Sequence, residues 1–340
     1  MERSEPVAGE TATAPAAPRD GPPEPFPGNV FRHAAVLYRG EAEYCRAVAG
    51  FLREAGQAAA ALHVAVPRRA MRLVSETAGF PPRRAVLADM TDLGSNPARI
   101  IPAAQSFADA HTGDAVYCLW EPAWPGRTAA ELREVTRHEA LCNLAFAGSR
   151  MTVLCLYDAA ALGRRPVADA ELTHPLVTSH GHRRASQRYL GAGRFPAGSD
   201  DPLPPPTART ESLAFLDQLG RVRDFAAHQA RAAGLGAERA ADLVLAVSEL
   251  AANALGHAAG GGLVRAWCTA AELICQVDDP GHIQDPLAGS RRRPPDASGG
   301  HGLWLVNKIC DLVERRTGPS GTTTRLHMRR PVIGPRPSVA

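Results

Sequence analysis

The sequence predicts two α/β units in series: a mostly parallel sheet covered by helices over residues 28–180, and an α+β sandwich over residues 211–330. Three observations carry this. In the first half, short apolar, β-branched runs alternate with amphipathic helical stretches. A Pro/Gly-rich stretch then interrupts the chain at residues 191–209, and beyond it two helical stretches precede a set of strand-like runs. Continuous apolar strands interleaved with helices mark a sheet covered on both faces, whereas helices grouped beside strands mark a two-layer sandwich.

The strand-like runs of the first unit are Ala34 to Tyr38, Leu62 to Val66, Ala85 to Ala88, Ala115 to Trp120 and Met151 to Leu156. Between them, Glu41 to Glu54 places Ala47, Phe51 and Leu52 on one side of a helix, and Ala129 to Ala145 does the same with Leu132, Val135, Leu141 and Leu144. That spacing is the face a helix turns to a sheet. Residues 181–210, with Pro202, Pro204, Pro205 and Pro206, read as a linker.

The second unit opens with a helix from about Glu211 to Ala233, striped by Leu216, Leu219, Val222 and Phe225 and stopped by Gly234. A helix from Ala237 to His257 follows, then strands Leu263 to Cys268 and Glu272 to Val277, a loop from Asp285 to Gly300, a helix from Leu303 to Val313 and a strand from Gly321 to Met328. Residues 1–27, rich in Pro, Ala, Gly and Glu and without the apolar core of a secretory signal, read as a disordered tail, and residues 331–340 as a second tail.

Composition narrows the function. The chain has 340 residues, 45% hydrophobic and 21% charged, as a globular protein does. Its net charge of +3 is dispersed, apart from short runs such as Arg291 to Arg293, which argues against direct nucleic-acid binding. No apolar stretch reaches the ~20 residues that cross a bilayer, so a cytoplasmic protein is expected. Seven cysteines occur without a CxxC pair and mostly inside apolar runs, so they read as free thiols behaving as small hydrophobes.

The chemistry is concentrated in the second unit. In the helix Ala237 to His257, Leu243, Val247, Leu250 and Ala254 share one arc while Asp242, Glu249 and Asn253 share its neighbour. Glu249 and Asn253, four residues apart, bring a carboxylate and a carboxamide oxygen to one place. Alone, this pair is an ordinary exposed helix face. Three further features change that reading. Asp279-Pro280-Gly281 ends a strand with a carboxylate able to accept from an amine and a glycine that leaves room for a flat ring. Gly299-Gly300-His301-Gly302 precedes an apolar helix, a pattern that offers N–H groups to phosphate oxygens. Gly321-Thr322-Thr323 opens the last strand with a hydroxyl.

In this order, Glu249-Leu250-Ala251-Ala252-Asn253-Ala254, Asp279-Pro280-Gly281, Gly300-His301-Gly302-Leu303 and Gly321-Thr322 resemble the GHKL (Bergerat) ATPase domain of gyrase, heat-shock chaperones, histidine kinases and the RsbW-like anti-sigma serine kinases. The resemblance covers about Ser212 to Arg330. It implies that the domain binds ATP, with Asn253 holding Mg²⁺, Asp279 and Thr322 at the adenine, and Gly281 letting the base approach. Gly300, Gly302 and Leu303 would form the phosphate lid, and Glu249 would be the base that polarises an attacking hydroxyl. Trp304 stands where a third lid glycine is common, which implies a stiffer lid. Asp278 offers a second carboxylate beside Asp279, but the spacing to Gly281 favours Asp279. Arg291, Arg292 and Arg293 read as a solvated loop rather than phosphate ligands.

In the first unit, Phe31-Arg32-His33 with Tyr38, His138-Glu139-Ala140-Leu141-Cys142-Asn143, Cys155-Leu156-Tyr157-Asp158 and Thr173-His174-Pro175 resemble the MEDS sensory domain. This implies a cytoplasmic sensor for a small molecule such as a hydrocarbon derivative. His33 and His174 read either as pocket-lining or as satisfied core histidines. Cys142 replaces the second histidine of a zinc-protease HExxH, and His138 lies too far upstream for a histidine-kinase acceptor box, so His138 reads as structural. Together the resemblances imply an anti-sigma-type serine kinase whose partner is a sigma factor or an anti-anti-sigma (STAS) protein, acting as a homodimer. A nucleotide-gated binding module without kinase activity, and an orphan histidine kinase, remain open.

Overall fold

In the computed structural model the residues described are 31–78, 85–206, 208–257, 260–291 and 301–331. Both expected tails, apart from Pro331, lie outside them, as do Gly299, Gly300, Arg292 and Arg293. The first half runs β1 (Arg32–Tyr38), α1 (Gly40–Gln57), β2 (Ala61–Val66), α2 (Arg68–Ala78), β3 (Ala85–Asp89) and α3 (Met90–Leu93). A 3-10 turn at Pro97–Arg99 leads to α4 (Ile100–Asp109), β4 (Val116–Trp120), α5 (Ala129–Ala145), β5 (Met151–Asp158), α6 (Arg164–Thr173), β6 (Leu176–Ser179) and β7 (His182–Ala185).

These strands form a seven-stranded sheet in the order β3-β2-β4-β5-β1-β6-β7, parallel except for the β6–β7 hairpin. Side chains alternate between the faces of a strand, so a run buried throughout needs cover on both sides. β1 shows this directly. Ala35 and Leu37 join Trp120 and Val135 in one core, while Val36 and Tyr38 join Val48 and Phe51 in the other. The hairpin strand β7 comes from the stretch read as linker.

The second half runs β8 (Glu211–Phe215), α7 (Leu219–Ala232), α8 (Ala237–His257), β9 (Gly262–Cys268), β10 (Glu272–Asp279), α9 (Gly302–Ile309), β11 (Leu312–Gly318) and β12 (Gly321–Arg329). The sheet is antiparallel, in the order β11-β12-β10-β9-β8. Leu243, Val247, Leu250 and Ala254 of α8 are buried against Val264, Leu273, Val277 and Leu326 of the sheet, as the helical spacing requires.

Two element boundaries differ from the sequence reading. Glu211–Phe215 is a strand, not the start of a helix: it pairs with β9, buries Phe215 against Gly262 and leaves Leu216 72% exposed. The apparent stripe through Leu216 therefore arises by chance, and pairing along the free edge of β9 overrides helical propensity. Likewise the helix of Leu303 ends at Ile309, and Leu312 and Val313 belong to β11, paired with His327 and Leu326.

The other face of this sheet is polar and lies against the first half. Arg133 Nη2 of α5 donates to Glu314 Oε1 at 2.8 Å, and Arg316 Nη1 donates to Glu134 Oε1 of α5 at 2.8 Å. Arg316 Nε also donates to Asp201 O, and Arg325 Nη2 to Pro204 O, so the proline-rich segment runs along the same face. Glu314 is 1% exposed, so these charges are desolvated and need one another. His327 bridges Glu272 (2.9 Å) and Glu314 (3.1 Å). Burial alone would lower the His327 pKa, but the two carboxylates raise it to about 9.

Candidate nucleotide site

α8 carries Glu249 and Asn253 on a half-buried stripe beside its buried apolar one. Among the described residues neither side chain has a hydrogen-bond partner, unlike Asp242 on the same stripe, which pairs with Arg239 at 2.9 Å. Glu249 reaches the start of α9. A Cβ at Gly302 would lie 2.5 Å from Glu249 Oε2, so a larger residue there would push the carboxylate out of its present place beside the first turn of that helix.

A second group forms at the ends of β10 and β12, where Asp279 is paired with Thr322. Asp279 Oδ1 accepts from the Gly281 N–H at 2.8 Å, which fixes the Asp-Pro-Gly turn. Burial, helped by the Asp278 charge, raises the Asp279 carboxyl above its ordinary range despite that hydrogen bond. Thr322 Oγ1 donates to Gly281 O at 2.7 Å and pairs with Thr317 Oγ1 at 2.8 Å, while Thr317 Oγ1 accepts from Ile283 N at 2.9 Å. This hydroxyl chain ties the turn to the last hairpin. Gly321, at φ +124°, sits where a Cβ would come within 2.4 Å of Asp279 O.

The two adjacent aspartates have different surroundings. Asp278 is ion-paired with Arg265 and accepts from Thr323 Oγ1 (2.7 Å) and Gln276 Nε2 (2.9 Å), so its oxygens are committed to the sheet. Asp279 has only its own turn, which leaves its second oxygen for an external donor.

α9 is held at its other end by the first half. Asn96 Nδ2 donates to Asn307 O at 2.8 Å, and Arg99 donates to Asn307 O (3.1 Å) and Cys310 O (2.6 Å). Arg239 of α8 adds a bond to Ile309 O at 2.7 Å. Cationic donors at exposed C-terminal carbonyls complement the helix dipole. Trp304 and Lys308 of α9 face Pro102, Ala103 and Ser106 of α4 across a cavity of about 390 Å³. Arg291, expected in a solvated run, instead donates to Leu144 O and Ala145 O at the end of α5.

His138 is 3% exposed, with its Nε2 3.4 Å from Cys142 Sγ, and burial pushes its pKa down to about 4. A neutral, enclosed imidazole fits the structural role read for it. His33 and His174, in contrast, are brought together with Glu139 and Cys155, a grouping that the sequence did not reveal.

Residues 32–175 match the family model described as the methanogen/methylotroph DcmR sensory domain (MEDS), and residues 213–328 that of the histidine kinase-like ATPase domain. The chain joins a MEDS domain to a histidine kinase-like ATPase domain. No curated protein matches it. Among solved structures, the RsbU and RsbW domains of Rv1364c from Mycobacterium tuberculosis are similar at 20% identity and a TM-score of 0.28, over 36% of this chain and 34% of that one. This chain thus spans about a third of that structure's length. The match to the ATPase domain begins within β8 and ends within β12, so it takes in the whole five-stranded sheet except its outermost residues. Among the described residues no helix is long and apolar enough to cross a membrane.

Proposed function

We propose that the ATPase domain binds Mg²⁺·ATP at Asn253, Asp279, Gly281, Gly300, Gly302, Leu303 and Thr322 and, with Glu249 as the catalytic base, transfers phosphate to a serine of a sigma-factor-pathway partner, under control of the MEDS domain. The partner is a sigma factor or an anti-anti-sigma (STAS) protein, and the working form is a cytoplasmic homodimer. One observation carries the reading: Glu249, which has no partner among the described residues, lies against Gly302, so a carboxylate from α8 meets the first turn of α9.

The donor set fits the nucleotide. Asp279 presents a free carboxylate oxygen to an exocyclic amine, and Thr322 holds the turn that shapes the base site. Asn253 offers a hard carboxamide oxygen, the type of ligand that Mg²⁺ accepts beside phosphate. When bound, the ion would neutralise phosphate charge. Glu249 would orient the serine hydroxyl and take its proton at Oε2 as the terminal phosphoryl group passes from ADP to the serine oxygen, and N–H groups at the start of α9 would stabilise the phosphoryl charge, so positioning and electrostatics would supply most of the rate.

A serine acceptor is favoured over an internal histidine because, among the described residues, no helical hairpin precedes the domain: residues 181–210 hold β7 and irregular chain. Control by the sensor is assigned to Asn96 and Arg99, which grip α9 at the end opposite Glu249. Incubation with labelled ATP and candidate partners should give acid-stable phosphoserine, and Glu249→Gln should lower its rate roughly 100-fold or more while keeping nucleotide affinity. Label on a histidine of the chain would overturn the serine assignment, and unaltered partner regulation by Glu249→Gln would make the domain a nucleotide-gated binder.

A further inference from the structure

Four segments of the MEDS domain meet at one point inside it. His33 comes from β1, Glu139 from α5, Cys155 from β5, and His174 from the residue that ends α6. All four side chains are fully buried, and one ligand atom of each lies within 4.8 Å of all the others. Glu139 Oε2 is 3.0 Å from His33 Nε2, 3.5 Å from His174 Nε2 and 3.5 Å from Cys155 Sγ, and Cys155 Sγ is 3.5 Å from His33 Nε2. The edges of a tetrahedron of N, O and S atoms around an ion at ~2.0–2.3 Å are about 3.3–3.7 Å, so three of these separations already match it.

The hydrogen bonds behind the ligands set the tautomers. Asn143 Nδ2 donates to Glu139 O and Thr173 O, so its Oδ1 is left to accept from His33 Nδ1 at 3.1 Å. His174 Nδ1 donates to Ala170 O at 2.8 Å. Both imidazoles therefore turn Nε2 toward Glu139 Oε2, at 3.0 Å from His33 but at a long 3.5 Å from His174, whose Nε2 has no well-formed hydrogen bond. In a fully buried interior the Glu139 carboxylate and the two Nε2 atoms need a cation between them, either a proton or a metal ion, and the poorly satisfied His174 Nε2 is what a closed structural ion-pair cluster avoids. The remaining oxygen, Glu139 Oε1, accepts from Tyr157 at 3.0 Å, which completes the outer support typical of metal ligands.

We infer that His33, Glu139, Cys155 and His174 form a tetrahedral site for a borderline divalent transition-metal ion, zinc foremost, within the MEDS domain. A mixed set of two imidazoles, one thiolate and one carboxylate suits Zn²⁺, and Co²⁺ adopts the same geometry. Binding displaces two protons to solvent, one from the Cys155 thiol and one held between Glu139 and the imidazoles. Exchange of two protons for one divalent ion leaves the buried charge unchanged.

The test uses the full chain. Metal-depleted protein titrated with Co²⁺ should take up about one equivalent, with visible bands of tetrahedral intensity and a near-ultraviolet thiolate-to-cobalt band. Cys155→Ser should abolish the thiolate band, and zinc should displace the cobalt. X-ray absorption of the zinc-loaded wild type gives an independent answer: one sulfur at about 2.3 Å and three nitrogen or oxygen atoms at about 2.0 Å. Wild type that takes up neither ion overturns the assignment. So does a thiolate band that survives Cys155→Ser, or a shell with two sulfurs, which would bring in Cys142.

Discussion

The chain holds two polar centres of opposite character. In the MEDS domain His33, Glu139, Cys155 and His174 are sealed from solvent and turned toward one another. In the ATPase domain Glu249, Asn253 and Asp279 are half-exposed, and two of the three have no partner among the described residues. Side chains left unpaired at a rim cost little because water serves them until a ligand arrives, whereas groups buried away from water must be paired in every state of the fold. The open centre is therefore suited to a large ligand that exchanges, and the sealed one to something small that stays.

This contrast makes a sharp forecast about stability. Glu139→Gln removes the one anion facing two buried imidazoles and should cost roughly 3–5 kcal/mol in urea unfolding. Asn253→Ala, at the open centre, should change stability by less than about 0.5 kcal/mol. Equal costs at the two sites would erase the distinction.

A smaller effect is expected at the boundary between the domains, where His327 joins Glu272 and Glu314 beneath Arg133. Its pKa is raised to about 9, so its stabilisation is complete below the unfolded value near 6.5 and is lost as pH rises through about 9. Glu314, which burial would raise, is held at about 2 chiefly by His327 and Arg133, and its contribution is lost as pH falls below about 4.5 toward 2. Thermal unfolding should thus show greatest stability between about pH 4.5 and 6.5, with about 2–3 kcal/mol lost by pH 9. His327→Gln should flatten the alkaline limb.

The smallest change tests whether the two centres communicate. Arg99→Ala removes the guanidinium from the carbonyls of Asn307 and Cys310 and should cost about 1–2 kcal/mol. If α9 carries the coupling, the same variant should shift ATP affinity several-fold. Unaltered affinity would leave the sensor without a route through that helix.

Much of the open centre was legible because its residues lie on regular elements. α8 declares itself through Leu243, Val247, Leu250 and Ala254, and its polar stripe follows from the same period. Asp279 and Thr322 could be placed at strand ends, although only the folded sheet brings Arg265 and Thr323 onto Asp278. The sealed centre was hidden because its ligands come from four separated segments, and Cys155 inside an apolar strand looks like any small core residue. The interface was equally opaque: Arg133, Glu314 and Arg316 carry charges that, in a sequence, read as solvated. β11 was hidden because apolar residues recur at helical spacing from Leu303 through Ile309 to Leu312 and Val313, with Asn307, Lys308 and Asp311 between them, and nothing in that pattern marks where the helix stops.

The central claim is that Asn253 and Asp279 hold Mg²⁺·ATP, and calorimetric titration of the purified chain addresses it most directly. Wild type should bind, Asp278→Asn should bind within a few-fold of wild type, and the combined Asn253→Ala, Asp279→Ala variant should lose roughly 100-fold or more in affinity while remaining folded. Wild type that takes up no nucleotide, or a folded double variant that binds as tightly as wild type, would contradict the account.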